Sequence, residues 1–185
     1  MNVLLGVTGS VASILTPKLV GELVAREHTV RIVATETSLY FWNPAEIAVP
    51  VLRNKDEWPD SRYVSKSPIL HIELRDWADV LLIAPLSAGT LAKIAQGFAD
   101  NLLTSVARAW NMQKPVVLAP AMNTHMWNHP ARQEHLERLT RWIPKLQIIW
   151  PVEKTLACGD EGIGAMAPIE AIVEAVAKGG TPCAH

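Results

Sequence analysis

The chain has 185 residues, of which 49% are hydrophobic and 19% are charged, and its formal net charge is −1. This length suits one domain, and the apolar fraction is sufficient for a packed core, which argues against intrinsic disorder. The balanced charge, without a basic stripe, gives no indication of a nucleic-acid partner or of binding to an anionic membrane surface. The two separated cysteines, Cys158 and Cys183, form neither a disulfide framework nor a zinc-binding pattern.

The chain termini carry no recognisable targeting segment. Residues 1–6 lack the basic stretch and long apolar stretch of a signal peptide, and no apolar run is long enough to span a bilayer. We therefore expect a cytoplasmic protein with no membrane partner. We expect one domain at residues 1–178, followed by a disordered tail at 179–185, because that tail is short, polar and rich in glycine.

Strand-like and helix-like segments alternate along the chain. Short, continuously apolar runs predict strands buried on both faces at residues 3–7, 29–34, 80–84, 116–119 and 146–150. Apolar residues at helical spacing predict helices at residues 12–26, 91–97, 102–110, 132–141 and 169–177. This alternation predicts a single α/β domain with a doubly wound parallel sheet of the Rossmann-like or flavodoxin-like kind. Residues 53–68 are polar and aperiodic, so we predict a long loop there.

Segments rich in small, hydroxylated or amide residues follow four of the predicted strands. They lie at residues 8–10, 35–38, 85–90 and 120–123. Ligands of open α/β sheets bind at the carboxyl ends of the strands, so these segments predict one shared crevice.

Two of these segments have the composition of a phosphate-binding turn. Residues 6–12 read GVTGSVA and residues 87–90 read SAGT, each ahead of a predicted helix. Glycine lets backbone N–H groups approach a phosphate, and a helix N-terminus adds partial positive charge. Neither segment matches the dinucleotide or P-loop pattern. The alternative is that Ser10 or Ser13 simply caps the first helix, and that the SAGT segment caps the helix after it.

The histidines allow both functional and structural interpretations. His71, ahead of the third predicted strand, has the chemistry of a general base, although a lone histidine is more often structural. His125 and His129 have ligand-like spacing, but Pro130 follows them and no HExxH pattern is present. We interpret these two and His135 as surface or packing residues and expect no metal site.

Cys158 lies in the glycine-rich segment 156–166, for which we predict a mobile loop. A thiol on a loop that folds over a crevice can donate a proton. The alternative is an inert small residue.

Four longer segments together carry a family resemblance that covers about residues 3–166. They are GVTGSVA, LHIELRDWADVLLIAPLSAGTLAKIAQGFADNLLT, PAMNTHMW and ACGDEGIGAM. The chain resembles the homo-oligomeric flavin-containing cysteine decarboxylases. Within them it is most similar to the stand-alone phosphopantothenoylcysteine decarboxylases of the eukaryotic type, which include plant halotolerance flavoproteins.

The resemblance implies a set of site residues and a cofactor, FMN. His71 would be the active-site histidine, Cys158 would donate the last proton, and Asn123 and Met126 would bind the substrate. Family members assemble as trimers or trimer-based dodecamers with FMN at the subunit interface. The residues that the resemblance assigns to FMN are Gly9, Ser10, Val11, Thr35, Ser38, Ser87, Ala88, Gly89 and Thr90.

The implied chemistry has a physical basis. Loss of CO2 from a cysteine carboxylate needs a group that accepts the remaining electron pair, and cysteine has none. In this family FMN oxidises the thiol side chain to a thioaldehyde, whose C=S group accepts the electrons and becomes an enethiolate. A further reduction and protonation would give a saturated thiol; otherwise an aminoenethiol is released.

Three residues depart from the family pattern: Gly89 replaces a usual Asn, Gln96 replaces a common Gly, and Asp76 replaces a basic residue. Asp76 should disfavour a phosphorylated substrate. Phosphopantothenoylcysteine decarboxylation in coenzyme A synthesis, favoured by Cys158, and peptidyl-cysteine decarboxylation in peptide natural-product biosynthesis, favoured by Asp76 and Gly89, both stay open. A flavin-binding regulatory subunit is a third reading, but relatives with that role carry long acidic tails and this chain does not.

Overall fold

A six-stranded parallel sheet forms the centre of the molecule in a computed structural model that describes residues 1–58, 62, 65, 67–155 and 161–179. The strand order is β3-β2-β1-β4-β5-β6, and every pair in the sheet is parallel. The six strands are β1 (Asn2–Val7), β2 (Thr29–Ala34), β3 (Val51–Leu52), β4 (Val80–Leu86), β5 (Val116–Pro120) and β6 (Leu146–Ile148).

Helices cover both faces of the sheet, and an antiparallel hairpin of β7 (Val152–Thr155) and β8 (Glu161–Ala165) stands apart from it. None of the described helices is long and apolar enough to cross a bilayer. Short 3₁₀ segments occur at Val11–Leu15, Glu36–Tyr40 and Pro44–Glu46. The helices are α1 (Thr16–Ala25), α2 (Asn54–Glu57), α3 (Leu70–Trp77), α4 (Ala88–Gln96), α5 (Leu102–Ala109), α6 (Thr124–Asn128), α7 (Pro130–Trp142) and α8 (Ile169–Ala177).

The continuous apolar runs of the strands are explained by two separate cores. Successive side chains of a strand point to opposite faces of the sheet. Leu5 therefore packs in the core that contains residues of α1 and α8, whereas Leu4 packs in the core that contains residues of α3, α4, α5 and α7. Both leucines are fully buried. A strand that meets a core on each face has no polar side, so its sequence shows no alternation.

The predicted doubly wound sheet is confirmed. The five predicted strands correspond to β1, β2, β4, β5 and β6, and taken alone they follow the flavodoxin-type order 2-1-3-4-5. The short edge strand β3 converts this order to the 3-2-1-4-5-6 order of Rossmann folds. The chain reverses its winding direction between β1 and β4, and a ligand crevice is expected at that point.

Two predictions about loops were wrong in part. Residues 53–68 contain helix α2, a single turn of polar residues that shows no apolar period in the sequence. Its N-terminus is closed by the side chain of Asp56, which accepts a hydrogen bond from the backbone N–H of Arg53 at 2.7 Å. The segment 156–166 contains strand β8, although residues 156–160 lie outside the described residues, as does the predicted tail from residue 180 onward.

The helix boundaries also differ in places. The first helix begins as a 3₁₀ turn at Val11, and α4 begins at Ala88, three residues earlier than predicted, because Ser87 caps it. Helices α3 and α6 were not predicted. The 5 residues of α6 are too few to show a helical period, whereas α3, with 8 residues, is as long as the predicted helix α5.

Candidate active site

The loops after β1 and β4 are joined by one buried hydroxyl. Thr8 is fully buried, and its Oγ1 donates a hydrogen bond to the carbonyl oxygen of Pro85 at 2.8 Å. The same Oγ1 accepts a hydrogen bond from the backbone N–H of Ser87, also at 2.8 Å. The two glycine- and hydroxyl-containing segments of the sequence therefore lie side by side at the reversal point of the sheet.

The loop after β2 adds a third wall. The backbone N–H of Thr35 donates to the carbonyl oxygen of Val7 at 3.0 Å. Gly9 lies against Thr37, because a Cβ at position 9 would come within 2.6 Å of the Thr37 hydroxyl oxygen. This close approach requires glycine at position 9. Thr37 is exposed and was not among the predicted site residues; the hydroxyl-rich run TETS was the signal for it.

The predicted cofactor serines also act as helix caps. Ser10 Oγ accepts from the N–H of Ala12 at 3.4 Å, and Ser87 Oγ accepts from the N–H of Thr90 at 3.4 Å. A hydroxyl that accepts still has a proton to donate, so capping by Ser10 is compatible with an anion in the crevice. Ser38 is buried and donates to the carbonyl oxygen of Thr35 at 2.7 Å, so it supports the loop from within.

The fourth loop, after β5, is held by the hairpin. The N–H of Met122 donates to the carbonyl oxygen of Gly164 at 2.9 Å, and the N–H of Ala121 donates to that of Leu86 at 3.0 Å. Gly164 has φ = +147°, and a Cβ there would overlap the Met122 carbonyl oxygen. Asn123 caps α6, since its Oδ1 accepts from the N–H of His125 at 2.8 Å.

Cys158 lies outside the described residues. Strand β7 ends at Thr155 and β8 begins at Glu161, and these two residues are paired in the hairpin. The hairpin thus brings both described ends of the Cys158 segment to the same place, on an element bonded to the loop that carries Asn123.

A cavity of about 500 Å³ lies between α4, α6 and α7. It brings the predicted cofactor residues Ala88 and Gly89 together with the predicted substrate residue Met126, which is 54% exposed. The cavity is lined by Ala88, Gly89, Leu91, Ala92, Met122, His125, Met126, His129, Ala131, Arg132 and His135.

The three histidines of this cavity do not converge on a metal site. In the described part of the chain no three His, Cys, Asp or Glu side chains are grouped as metal ligands. His129 Nδ1 instead accepts from the N–H of Ala131 at 3.2 Å and so caps α7. Arg132 stacks on Trp127, with its guanidinium carbon 4.5 Å from the ring centroid.

His71 is in the first turn of α3 and pairs with an acid that the sequence analysis did not identify. Its Nδ1 lies 2.5 Å from Oε1 of Glu57, at the end of α2. The Glu57 side chain is 6% exposed and that of His71 is 23% exposed. His71 is thus a hydrogen-bonded, partly accessible imidazole and not a core residue.

The structure shows the surroundings of Asp76 and Gly89, the two departures from the family pattern that bear on the substrate. Asp76 is exposed, but its Oδ1 accepts from Arg75 Nε at 2.9 Å and lies 2.8 Å from Arg75 Nη2. This pairing balances the negative charge that the sequence assigned to Asp76. Gly89 has open space around it, because no atom lies within 4 Å of a Cβ built there.

The model of one protein family, described as Flavoprotein, matches residues 1–179. The chain belongs to this family. A phosphopantothenoylcysteine decarboxylase from Mus musculus is 45% identical over 180 residues, which are 95% of this chain and 85% of that protein.

Solved structures of the family resemble the chain over nearly its full length. A PPC decarboxylase variant complexed with pantothenoylaminoethenethiol has a TM-score of 0.89 at 46% identity, over 96% of both chains. The FMN binding protein AtHal3 has a TM-score of 0.86 at 46% identity, over 96% of this chain and 95% of that chain. The FMN-dependent cysteine decarboxylase SpaF is more distant, with 28% identity and a TM-score of 0.77 over 98% of both chains.

Proposed function

We propose that this flavoprotein is an FMN-dependent decarboxylase of phosphopantothenoylcysteine. The observation that carries the proposal is the match of the whole fold, at a TM-score of 0.89, to a PPC decarboxylase in complex with pantothenoylaminoethenethiol. SpaF, at 28% identity, is a weaker match. Asp76 is not an isolated negative charge, because it forms an exposed ion pair with Arg75.

The crevice fits FMN. The close packing of Gly9 on Thr37 leaves the start of the first helix open, with Val11 45% exposed. Ser10, Thr35 and the Ser87–Thr90 cap would hold the cofactor there through hydroxyl and backbone N–H groups. When bound, FMN supplies the two-electron oxidation of the substrate thiol, without which the carboxylate has no electron acceptor.

The remaining residues bind the substrate and handle protons. Asn123 is a helix cap whose side-chain amide can donate to a carboxylate, and Met126 lines the neighbouring cavity. His71 is the base beside the cysteinyl group. Cys158 is the acid that protonates the enethiolate carbon and thereby decides between a saturated thiol and an aminoenethiol.

Decarboxylation of a peptide that ends in cysteine is the second candidate. The observation in its favour is the open space at Gly89, which lines the cavity at a position where, by the family resemblance, an Asn side chain is usual. A wider cavity suits a bulkier substrate.

One incubation experiment separates these functions. The purified protein, saturated with FMN, is mixed under anaerobic conditions with 4′-phosphopantothenoylcysteine or with short peptides ending in cysteine, and product masses are read. We expect loss of CO2 from phosphopantothenoylcysteine. Turnover of the peptides alone would transfer the proposal to the second candidate, and a colourless protein that takes up no FMN would contradict both.

Variants test the assigned roles. His71→Asn and Asn123→Asp should keep FMN and lose decarboxylation, because His71 is partly exposed in the first turn of α3 and Asn123 caps α6, so neither residue packs in the core. Cys158→Ser should still release CO2 but accumulate the aminoenethiol, since a hydroxyl is a far weaker acid than a thiol. Identical saturated products from wild type and Cys158→Ser would show that Cys158 is not the proton donor.

We further propose that the protein works in the cytoplasm as a trimer or a trimer-based dodecamer with FMN at the subunit interface. Light scattering of the FMN-bound protein measures the assembly, and a monomer that turns over substrate would contradict it.

A further inference from the structure

A buried carboxylate next to His71 has no role in the function described so far. Glu57 ends α2 and is almost fully buried, with 6% of its side chain exposed. Its Oε1 lies 2.5 Å from His71 Nδ1. Its Oε2 is also buried, and among the described residues it has no hydrogen-bond partner.

Burial of the Glu57 carboxylate in this arrangement lowers the stability of the fold. A buried carboxylate with one oxygen unsatisfied loses hydration that its single hydrogen bond does not fully replace. A buried polar atom without a partner in a native fold calls for an explanation, and a functional role is one such explanation. Within the described part of the chain, the Glu57 carboxylate has one hydrogen bond, which joins it to the imidazole of His71.

The contact determines which nitrogen of His71 carries the proton. If Glu57 is ionised, its carboxylate can only accept a hydrogen bond, and Nδ1 is then the protonated, donating nitrogen. In a neutral imidazole the lone pair is then on Nε2. The side chain of His71 is 23% exposed, so the ring keeps an accessible side.

The backbone presents Glu57 from a fixed element. Asn54, in the same turn of helix, accepts a hydrogen bond from the backbone N–H of Leu102 at 3.1 Å, which attaches α2 to the start of α5. Asp56 closes the N-terminus of that turn. The acid is therefore held in place before any substrate arrives.

We infer that Glu57 is a positioning residue that holds His71 as the Nδ1–H tautomer, with Nε2 available as the base for the substrate thiol. This inference rests on the proposed function, in which His71 acts beside the cysteinyl group. The proton moves from the thiol to Nε2, the sulfur keeps the electron pair, and the resulting imidazolium is paired with the Glu57 carboxylate. When bound, FMN would supply the two-electron oxidation of this thiolate.

The kinetic test compares Glu57→Gln with Glu73→Gln in the FMN-loaded full chain. Glu73 is exposed on α3, two residues after His71, so the control removes the same charge nearby without touching the imidazole. Loss of the partner that orients a metal-bound histidine lowers metal affinity or activity about 10–100-fold, and we take the same range for His71. We expect kcat of Glu57→Gln to fall by about that factor with KM and FMN content unchanged, and Glu73→Gln to match the wild type.

A spectroscopic readout is independent of activity. In protein with ¹⁵N-labelled histidine, the His71 signals, assigned by their loss in His71→Asn, should show a protonated Nδ1 and an unprotonated Nε2. Glu57→Gln should shift this pattern toward the other tautomer, because the glutamine amide can donate to Nδ1.

The outcomes separate the inference from the function. A protonated Nε2 in the wild type would overturn the role of Glu57, and this measurement does not depend on whether Glu57→Gln folds. An unchanged kcat in Glu57→Gln would also overturn it. A wild type that decarboxylates neither substrate would instead overturn the proposed function, and the ¹⁵N pattern would still decide how Glu57 holds His71.

Discussion

Replacement of Thr8 by valine should loosen the crevice without creating a void. Valine has nearly the shape of threonine, so the fully buried site stays filled, but both hydrogen bonds of the hydroxyl are lost. Each bond contributes about 1 kcal/mol, and the carbonyl of Pro85 and the N–H of Ser87 are left without this partner. We therefore expect Thr8→Val to lower the free energy of unfolding by about 2–4 kcal/mol.

Urea denaturation of the variant and of a matched control measures this effect. Thr140 makes one hydrogen bond, from Oγ1 to the carbonyl oxygen of Leu136 at 2.9 Å, on an exposed turn of α7. Thr140→Val should change the free energy of unfolding by less than about 0.5 kcal/mol. Thr8→Ser should retain most of the wild-type stability, because it keeps the hydroxyl.

The same variant tests the coupling between the fold and the cofactor site. Thr8 joins the two loops that would hold FMN, so loss of its two hydrogen bonds should also weaken FMN binding. We expect the Kd for FMN to rise about tenfold, which corresponds to about 1.4 kcal/mol of binding free energy. Flavin fluorescence titration measures this Kd. A stability loss in Thr8→Val no larger than that of Thr140→Val would refute the argument that the buried hydroxyl holds the loops together.

Three further substitutions have predictable directions. Gly164→Ala should lower the free energy of unfolding by about 1–3 kcal/mol, because φ is +147° and a Cβ would overlap the Met122 carbonyl. The control Gly21→Ala, in open space on α1, should raise the free energy of unfolding by about 0.5–1 kcal/mol. Equal effects of the two substitutions in urea denaturation would contradict this prediction. Gly89→Asn fits its open site and should tighten FMN binding, so a raised Kd would count against the loop assignment. Burial lowers the pKa of His28, so the unfolded chain binds more protons; stability should fall as the pH drops below about 6.5, and less steeply in His28→Gln. Identical slopes in the two urea series would show that His28 is not responsible.

Local patterns in the sequence were sufficient for the architecture. The strands are uniformly apolar because each is covered on both faces, and such runs are visible without knowledge of the partners that cover them. The cap of α4 at Ser87 and the loop segments after the strands depend on neighbours a few residues apart, so they too were predictable. The resemblance of four motifs to a family then identified His71 and Asn123 as candidates.

The elements that were missed lack such a local signal. Helix α2 has one turn of polar residues, and β8 contains Gly162 and Gly164 with positive φ, which reads as a loop in sequence. Gly164 of the hairpin lies against the backbone of Met122, a residue far away along the chain, and this contact is not visible in the sequence.

The sequence by itself determined the doubly wound sheet, the four loops at its carboxyl edge and the family, because each depends on short-range composition. Only the tertiary structure decided that Thr8 bonds to Ser87, 79 residues away, and that Glu57 faces His71 from another helix, 14 residues away. These contacts depend on the distance and direction between side chains in the folded chain, which residue spacing does not specify.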